Sequence, residues 1–176
     1  DHYLSEGAAD RMCAYLKEKW EKPGSRYHVM KGMFSCLHKL EALSADWPGK
    51  VRHYEKILFS GGRKKYEALH QYRMPDKIAE QLLSYFIYVY FAGAVYDGMP
   101  YSKVKLAVIS TMLIEDMVCA KAAEKGQLSF EAIADAAHSY AREVEHSDLN
   151  LQRLSIMFRH QKCFHIGRLC GALLEW

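Results

Sequence analysis

The residues of this sequence that could do chemistry are concentrated in one short string, SYAREVEHS at positions 139–147. If successive residues of a helix turn by about 100°, several ionisable side chains of this region fall on one side of the helix. We call this set the ionisable stripe, and it consists of Asp135, His138, Arg142, Glu145 and His146. An arginine can bind a carboxylate or a phosphate with two parallel hydrogen bonds, and a histidine titrates near neutral pH.

Two interpretations of the ionisable stripe stay open. The opposite side of the same helix is apolar, so the simpler interpretation is an amphipathic helix with its stripe in water. In the other, the stripe either lines a cleft, where Arg142 anchors a carboxylate or phosphate and His146 titrates near neutral pH, or packs polar side to polar side on another helix. A metal site is not expected. The units Asp135-x-x-His138 and Glu143-x-x-His146 lie on one helix, whereas a di-iron centre takes such units from different helices.

A second anomaly is the acidic pair Glu115-Asp116, which interrupts an apolar run at positions 104–119. On a helix, Glu115 shares its side with valines and a cysteine of that run. A buried carboxylate is costly unless a basic group pairs with it. We therefore expect Glu115 to be a buried carboxylate with a basic partner, and Arg142 is our candidate for that partner. A structural ion pair is favoured over a catalytic acid.

The elements that position these residues are predicted to be helices. Hydrophobic periodicity, punctuated by Pro and Gly, predicts an all-α compact bundle of about seven helices. Residues 75–95 are apolar on every side and predict a central helix. Residues 102–124 predict a second one, and the two are expected to pack as an antiparallel hairpin. The basic segment 60–65 predicts a solvated or disordered loop, with contact to an acidic or phosphate-bearing partner as the alternative.

Length and composition fit a single helical domain. The 176 residues are enough to enclose a core, with amino-terminal helices in residues 1–60 and core helices in residues 74–176. The sequence is also compatible with a fragment of a longer protein. The formal net charge of +3 is too small to predict a nucleic-acid partner. No apolar stretch reaches the ~20 residues that cross a bilayer, so no membrane partner and a cytoplasmic location are expected.

The cysteines do not predict a metal centre or a disulfide framework. Five of them are scattered along the chain, an odd number, and we expect them to be reduced and buried. Near the carboxy terminus, two histidines and two cysteines occur between His160 and Cys170. Their spacing matches none of the zinc patterns, which place ligands in close pairs around a loop. We therefore predict no metal ligands in this chain.

Three parts of the sequence resemble a known family. The run PDKIAEQLLSYFIYVYFAGAVYDG at 75–98, the apolar helix after it and the string at 139–147 are similar to the helical carboxy-terminal region of the flagellin lysine-N-methylases. The similarity covers residues 74–154. It implies methylation of lysine ε-amines of flagellin, with S-adenosylmethionine as donor and an iron–sulfur centre bound by an amino-terminal cysteine cluster. This chain has no such cluster. Arg142, Glu145 and His146 occupy positions that match the family string.

Two functions follow as hypotheses. By resemblance, the chain is the helical domain of a lysine methylase that supports substrate binding and is inactive alone, because the cysteine cluster is missing. The alternative is a stand-alone helical module that senses a ligand or dimerises, since the two apolar helices could enclose an apolar ligand or form a two-fold interface between copies of the chain.

Overall fold

The structure, a computed structural model, describes residues 7–20, 22 and 25–175. Every regular element within these residues is helical, which confirms the all-α prediction. The α-helices are α1 Ala8–Trp20, α2 Ser25–Leu37, α3 Trp47–Phe59, α4 Gly62–Leu69, α5 Asp76–Phe91, α6 Ala94–Asp97, α7 Pro100–Lys125, α8 Phe130–Tyr140, α9 Asp148–His160 and α10 Ile166–Leu174. Two 3₁₀ turns, His70–Tyr72 and Lys162–Phe164, and one π-helical segment, Ala141–Glu145, lie between them.

Helix α7 forms the centre of the domain. It begins at Pro100, because proline suits the first turn of a helix, where its missing N–H needs no partner. It ends before Gly126, whose φ of 72° belongs to the left-handed region that glycine adopts without strain. Fifteen of its 26 residues are buried, including most of its middle. Helices α2, α3, α5, α8 and α9 all pack against it.

The other apolar helix, α5, packs along α7 across the short α6, as the hairpin prediction requires. Its burial differs from the prediction of a central helix, however. Phe86 is the one residue of α5 that is buried. The side of α5 that faces away from α7 is exposed. Among the large apolar residues, Tyr88 of α5 is 87% exposed, and Val95 and Tyr96 of α6 are 85% and 92% exposed. An apolar composition therefore does not place a helix in the core, because α5 meets neighbours mainly on its α7 side.

The basic segment 60–65 does not form the predicted loop, because helix α4 begins within it at Gly62. The expectation that its lysines are solvated is correct, since Lys64 and Lys65 are exposed. The next residue, Tyr66, is only 1% exposed and turns into the core, where its ring stacks on Phe59. Tyr66 therefore anchors α4 in the domain, while the basic segment before it stays at the surface.

The cysteines are all free thiols. Cys36 and Cys119 are buried, Cys163 and Cys170 are half-buried and Cys13 is exposed on α1, so the prediction that the cysteines are buried is correct for two of the five. Within the described ranges, no helix combines the length and the apolar character needed to cross a membrane.

Candidate functional site: a buried ion cluster and its cavity

Glu115 and Asp116 lie in a buried ion cluster with a residue from α2. Arg26 Nη2 lies 3.1 Å from Glu115 Oε2 and 3.1 Å from Asp116 Oδ1. The hydroxyl of Tyr66 donates to Asp116 Oδ2 at 2.8 Å. The exposed fractions are 1% for Arg26, 8% for Glu115 and 0% for Asp116. Glu115 is thus buried with a basic partner, but the expected pairing with Arg142 is wrong, since Arg26 takes that place.

Arg26 was missed because it stands in a polar stretch at the start of α2. The sequence does hold a signal for its burial. On a helix, Arg26 shares one side with Met30, Met33 and Leu37, at spacings of four, seven and eleven residues. All three are buried, and that side of α2 carries Arg26 into the core. A basic residue on the apolar side of a helix is thus predicted to be buried and to need an acidic partner, just as an acidic residue in an apolar run needs a basic one.

The cluster holds more acid than base. Two carboxylates face one guanidinium, and burial raises the pKa of Glu115 to about 7, although Arg26 opposes the rise and the Asp116 charge adds to it. Burial also raises the pKa of Asp116. The ring of His70 packs edge-on against Tyr66 at 4.6 Å, and burial lowers the pKa of this histidine to about 4. Because His70 is neutral at pH 7, it supplies no second positive charge.

The cluster borders a cavity of about 380 Å³ between α5 and α7, which Glu115 lines. Its apolar wall consists of Ala79, Leu83, Val108, Met112 and Leu173. Three charged residues, Arg73, Asp76 and Glu80, line it from the α5 side. Arg73 Nη2 pairs with Asp76 Oδ1 at 2.9 Å. Arg26 lines the cavity as well, so three carboxylates, of Asp76, Glu80 and Glu115, face two guanidinium groups, and the cavity has an excess of one carboxylate beside its apolar wall.

The ionisable stripe is not brought together in the structure. Asp135 is exposed and pairs with Lys121 at 2.5 Å. His138 and His146 are exposed as well. Glu145 points to α5, where its Oε2 accepts hydrogen bonds from Tyr85 and Tyr90, and Arg142 points to the α2–α3 connection.

The π-helical segment Ala141–Glu145 is the reason why the stripe divides. In this segment the N–H of His146 donates to the carbonyl of Ala141, five residues earlier, at 3.2 Å. A π-helical turn holds more residues than an α-helical turn, so the count of 100° per residue fails after Tyr140. As a result Glu143 is fully buried, at 0% exposure.

Glu143 joins the π-helical segment to the connection between α2 and α3. Its carboxylate accepts hydrogen bonds from the N–H of Leu43 at 2.8 Å, from the N–H of Ser44 at 3.1 Å and from the Ser44 hydroxyl. Arg142 Nη2 donates to the same hydroxyl at 3.0 Å, and its Nε lies 3.4 Å from Glu143 Oε1. These contacts give the family-like string a structural role.

Asn150 completes this arrangement, which we call the Glu143 clamp: Glu143, Arg142 and Asn150 on one side, residues 41–44 on the other. The Asn150 side chain, at 0% exposure, donates to the carbonyls of Glu41 at 2.8 Å and of Glu143 at 2.7 Å. Its oxygen accepts from the N–H of Glu41 at 2.8 Å. Buried backbone groups need such partners, so the clamp fixes the α2–α3 connection against α9.

In the part of the chain that the structure describes, no three His, Cys, Asp or Glu side chains converge in a way that could hold a metal ion. This includes the residues between His160 and Cys170.

Fold and site together define an all-α domain whose buried carboxylates border an apolar-walled cavity. The chain belongs to the family described as FliB lysine N-methylase C-terminal domain, whose profile matches residues 1–172. This match confirms the resemblance inferred from residues 74–154 and extends it over nearly the whole chain. No curated protein and no solved structure matches the chain.

Proposed function

We propose that this chain is the substrate-binding helical domain of a flagellin lysine N-methylase and that it transfers no methyl group on its own. Family membership over residues 1–172 supports the reaction class. The observation that carries the substrate-binding role is the cavity beside Glu115, because it pairs an apolar wall with unbalanced carboxylates.

A lysine side chain matches both features of this cavity. Its four methylene groups can pack on apolar surface while the ammonium group keeps polar partners. Leu83, Val108 and Met112 would contact the methylene groups, and Glu115 would hold the ammonium group. The cluster contains two carboxylates and one guanidinium, so an entering cation supplies the missing positive charge. The role of this domain is then to bind and orient the target amine.

S-adenosylmethionine, as methyl donor, and an iron–sulfur cluster belong to the same proposal, for the full-length protein. Residues of this chain do not fit the cluster: Cys13 is exposed on α1 while Cys119 is buried in α7, and no metal-binding group of three exists among the described residues. We assign neither group to this chain. The free thiols support a cytoplasmic setting, where cysteines stay reduced.

The lysine-binding role is tested with Nα-acetyl-L-lysine N-methylamide, followed by ¹H–¹⁵N NMR of the chain. The amides near Val108 and Met112 should shift, and the matched norleucine compound, which lacks the ammonium group, should bind about tenfold more weakly. Glu115→Gln should weaken lysine binding by about tenfold, whereas Glu18→Gln, an exposed control on α1, should not. Affinity should also rise from pH 6 to pH 8 in the native chain, because Glu115 becomes ionised as the pH passes its pKa of about 7 while lysine stays charged.

Equal binding of the lysine and norleucine compounds would show that the ammonium group makes no favourable contact, and would contradict the proposal. Equal binding by the native chain and the Glu115→Gln variant would move the site away from this cavity. The glutamine keeps a hydrogen-bond acceptor for Arg26, and Asp116 still balances that guanidinium, so we expect the variant to fold.

A second candidate function is a dimerisation module, and the exposed outer side of α5 and α6 favours it. Monomers rarely expose large contiguous apolar surface. Tyr88 and Tyr96 are the most exposed aromatic residues there. If two copies pair through this side, sedimentation velocity should detect a dimer that Tyr88→Glu/Tyr96→Glu converts to a monomer. Tyr15→Glu, on half-exposed α1 surface, is the control that should leave the dimer intact. A monomer in the native chain at about 100 µM would exclude this function.

A further inference from the structure

Two cavities that the proposed function does not use meet at the start of α10. One, of about 670 Å³, is lined by residues of the α1–α2 region and α10, and the other, of about 360 Å³, by residues around the α9–α10 connection. His165 and Arg168 line both. We call the combined surface the basic groove. Its basic residues are Lys22, His28, Lys105, Arg159, His160, Lys162, His165 and Arg168.

No Asp or Glu among the described residues lines either cavity. This separation is unusual for a chain with 24 Lys and Arg against 21 Asp and Glu. The first turn of α10 contains no acidic residue either, so the positive end of its helix dipole adds to the field of the groove. The ion pairs found among the described residues involve neither Lys162 nor Arg168, and both side chains are exposed.

One wall of the groove holds a cation deep in the fold. Lys105 is only 8% exposed, and its Nζ donates to the carbonyl of Phe158 at 3.0 Å. The same Nζ lies 4.5 Å from the centre of the Tyr101 ring. Burial lowers the pKa of Lys105. An anion in the groove would face this lysine as well as the exposed cations at the rim.

We propose that the basic groove binds an acidic segment of a protein partner. Charge complementarity carries the choice of ligand, since cations line the groove without acidic residues between them. The identity of the partner rests on the proposed function: the protein whose lysine enters the cavity beside Glu115 would place a stretch of Asp and Glu in the groove. Binding there would orient the substrate without contact with the reacting amine.

The aromatic residues of the groove argue against single-stranded nucleic acid as its ligand. Such ligands stack their bases on accessible aromatic faces. The ring of Trp20 has Lys19 Nζ at 4.9 Å from its centre, and a side chain at Gly167 would come within 3.2 Å of its Nε1. Phe158 is only 4% exposed. The groove thus offers charge and hydrogen bonds, which suit carboxylates along a polypeptide, and little stacking surface.

Fluorescence anisotropy tests this with fluorescein-labelled deca-glutamate as the probe for an acidic segment and a labelled oligothymidylate of equal length as the competitor class. The chain should bind deca-glutamate, and affinity should fall as salt rises from about 50 to about 300 mM. Lys162→Glu/Arg168→Glu should weaken binding by at least about tenfold. The control Lys64→Glu/Lys65→Glu changes the net charge equally on exposed α4 surface and should alter binding less than about twofold.

Equal losses in the two variants would overturn the proposal, because binding would then follow net charge alone. Tighter binding of oligothymidylate than of deca-glutamate would also overturn it, in favour of nucleic acid. Far-ultraviolet circular dichroism confirms that each variant is folded before it is compared. This experiment is independent of lysine binding at Glu115, so a failure of the groove and a failure of the proposed function give different results.

Discussion

Replacing Arg26 with methionine should lower the free energy of unfolding by about 4 kcal/mol. Methionine is close to arginine in volume and leaves little empty space, so most of the loss comes from electrostatics. Without the guanidinium, the buried carboxylates of Glu115 and Asp116 lose the cation that contacts both of them. Urea denaturation at pH 7.5, followed by circular dichroism, measures this loss. At that pH both carboxylates of the unfolded chain are ionised.

Two control variants separate the charge from general damage to the core. Arg52→Met removes an exposed arginine of α3 and should change stability by less than about 0.5 kcal/mol. Adding Glu115→Gln and Asp116→Asn to Arg26→Met should restore a large part of the stability, because neutral amides cost less to bury than carboxylates. A loss below about 1 kcal/mol in Arg26→Met, or no recovery in the triple variant, would contradict the electrostatic account.

For the ion cluster, the sequence alone predicts burial but not the identity of the basic partner. Two acids in the apolar run of α7 were enough to predict burial and a basic partner. The predicted partner, Arg142, is wrong because the pattern of a single helix does not show which other helix packs against it. The true partner, Arg26, lies 89 residues before Glu115. Tertiary packing of α2 on α7 decides the pairing. The sequence pattern gives only the side of each helix that is buried.

Asp135, His138 and His146 are exposed, as the interpretation in water expects, but the ionisable stripe divides for a local reason. Its prediction assumed a regular α-helix through residue 146, and no side-chain pattern announces a π-helical turn. Once the turn is present, Arg142 and Glu145 point to different neighbours. The hydrophobic pattern of α5 also could not predict how far the helix is buried. A helix that is apolar on every side could be central, or it could lie at a surface that another molecule covers, and its sequence is the same in both cases.

Glu143, which the stripe did not include, carries the other large expected effect. Glu143→Ala should lower the free energy of unfolding by about 3 kcal/mol, because the partly buried N–H groups of Leu43 and Ser44 and the Ser44 hydroxyl lose their acceptor. Urea denaturation measures the loss. Hydrogen exchange at the amides of Leu43 and Ser44 should accelerate in the same variant.

The matched control is Glu145→Ala, two residues away in the same string. Its hydrogen bonds come from Tyr85 and Tyr90, whose hydroxyls can turn to water, so we expect a loss of less than about 1 kcal/mol. Glu143→Gln keeps one acceptor oxygen and should fall between the two. If Glu143→Ala and Glu145→Ala lower the free energy of unfolding equally, the Glu143 clamp does not stabilise the domain. The string at 139–147 would then again be a candidate ligand site. If the expected difference is found and lysine binding by folded Glu145→Ala is unchanged, the string positions helices, and the binding chemistry belongs to the cavity beside Glu115.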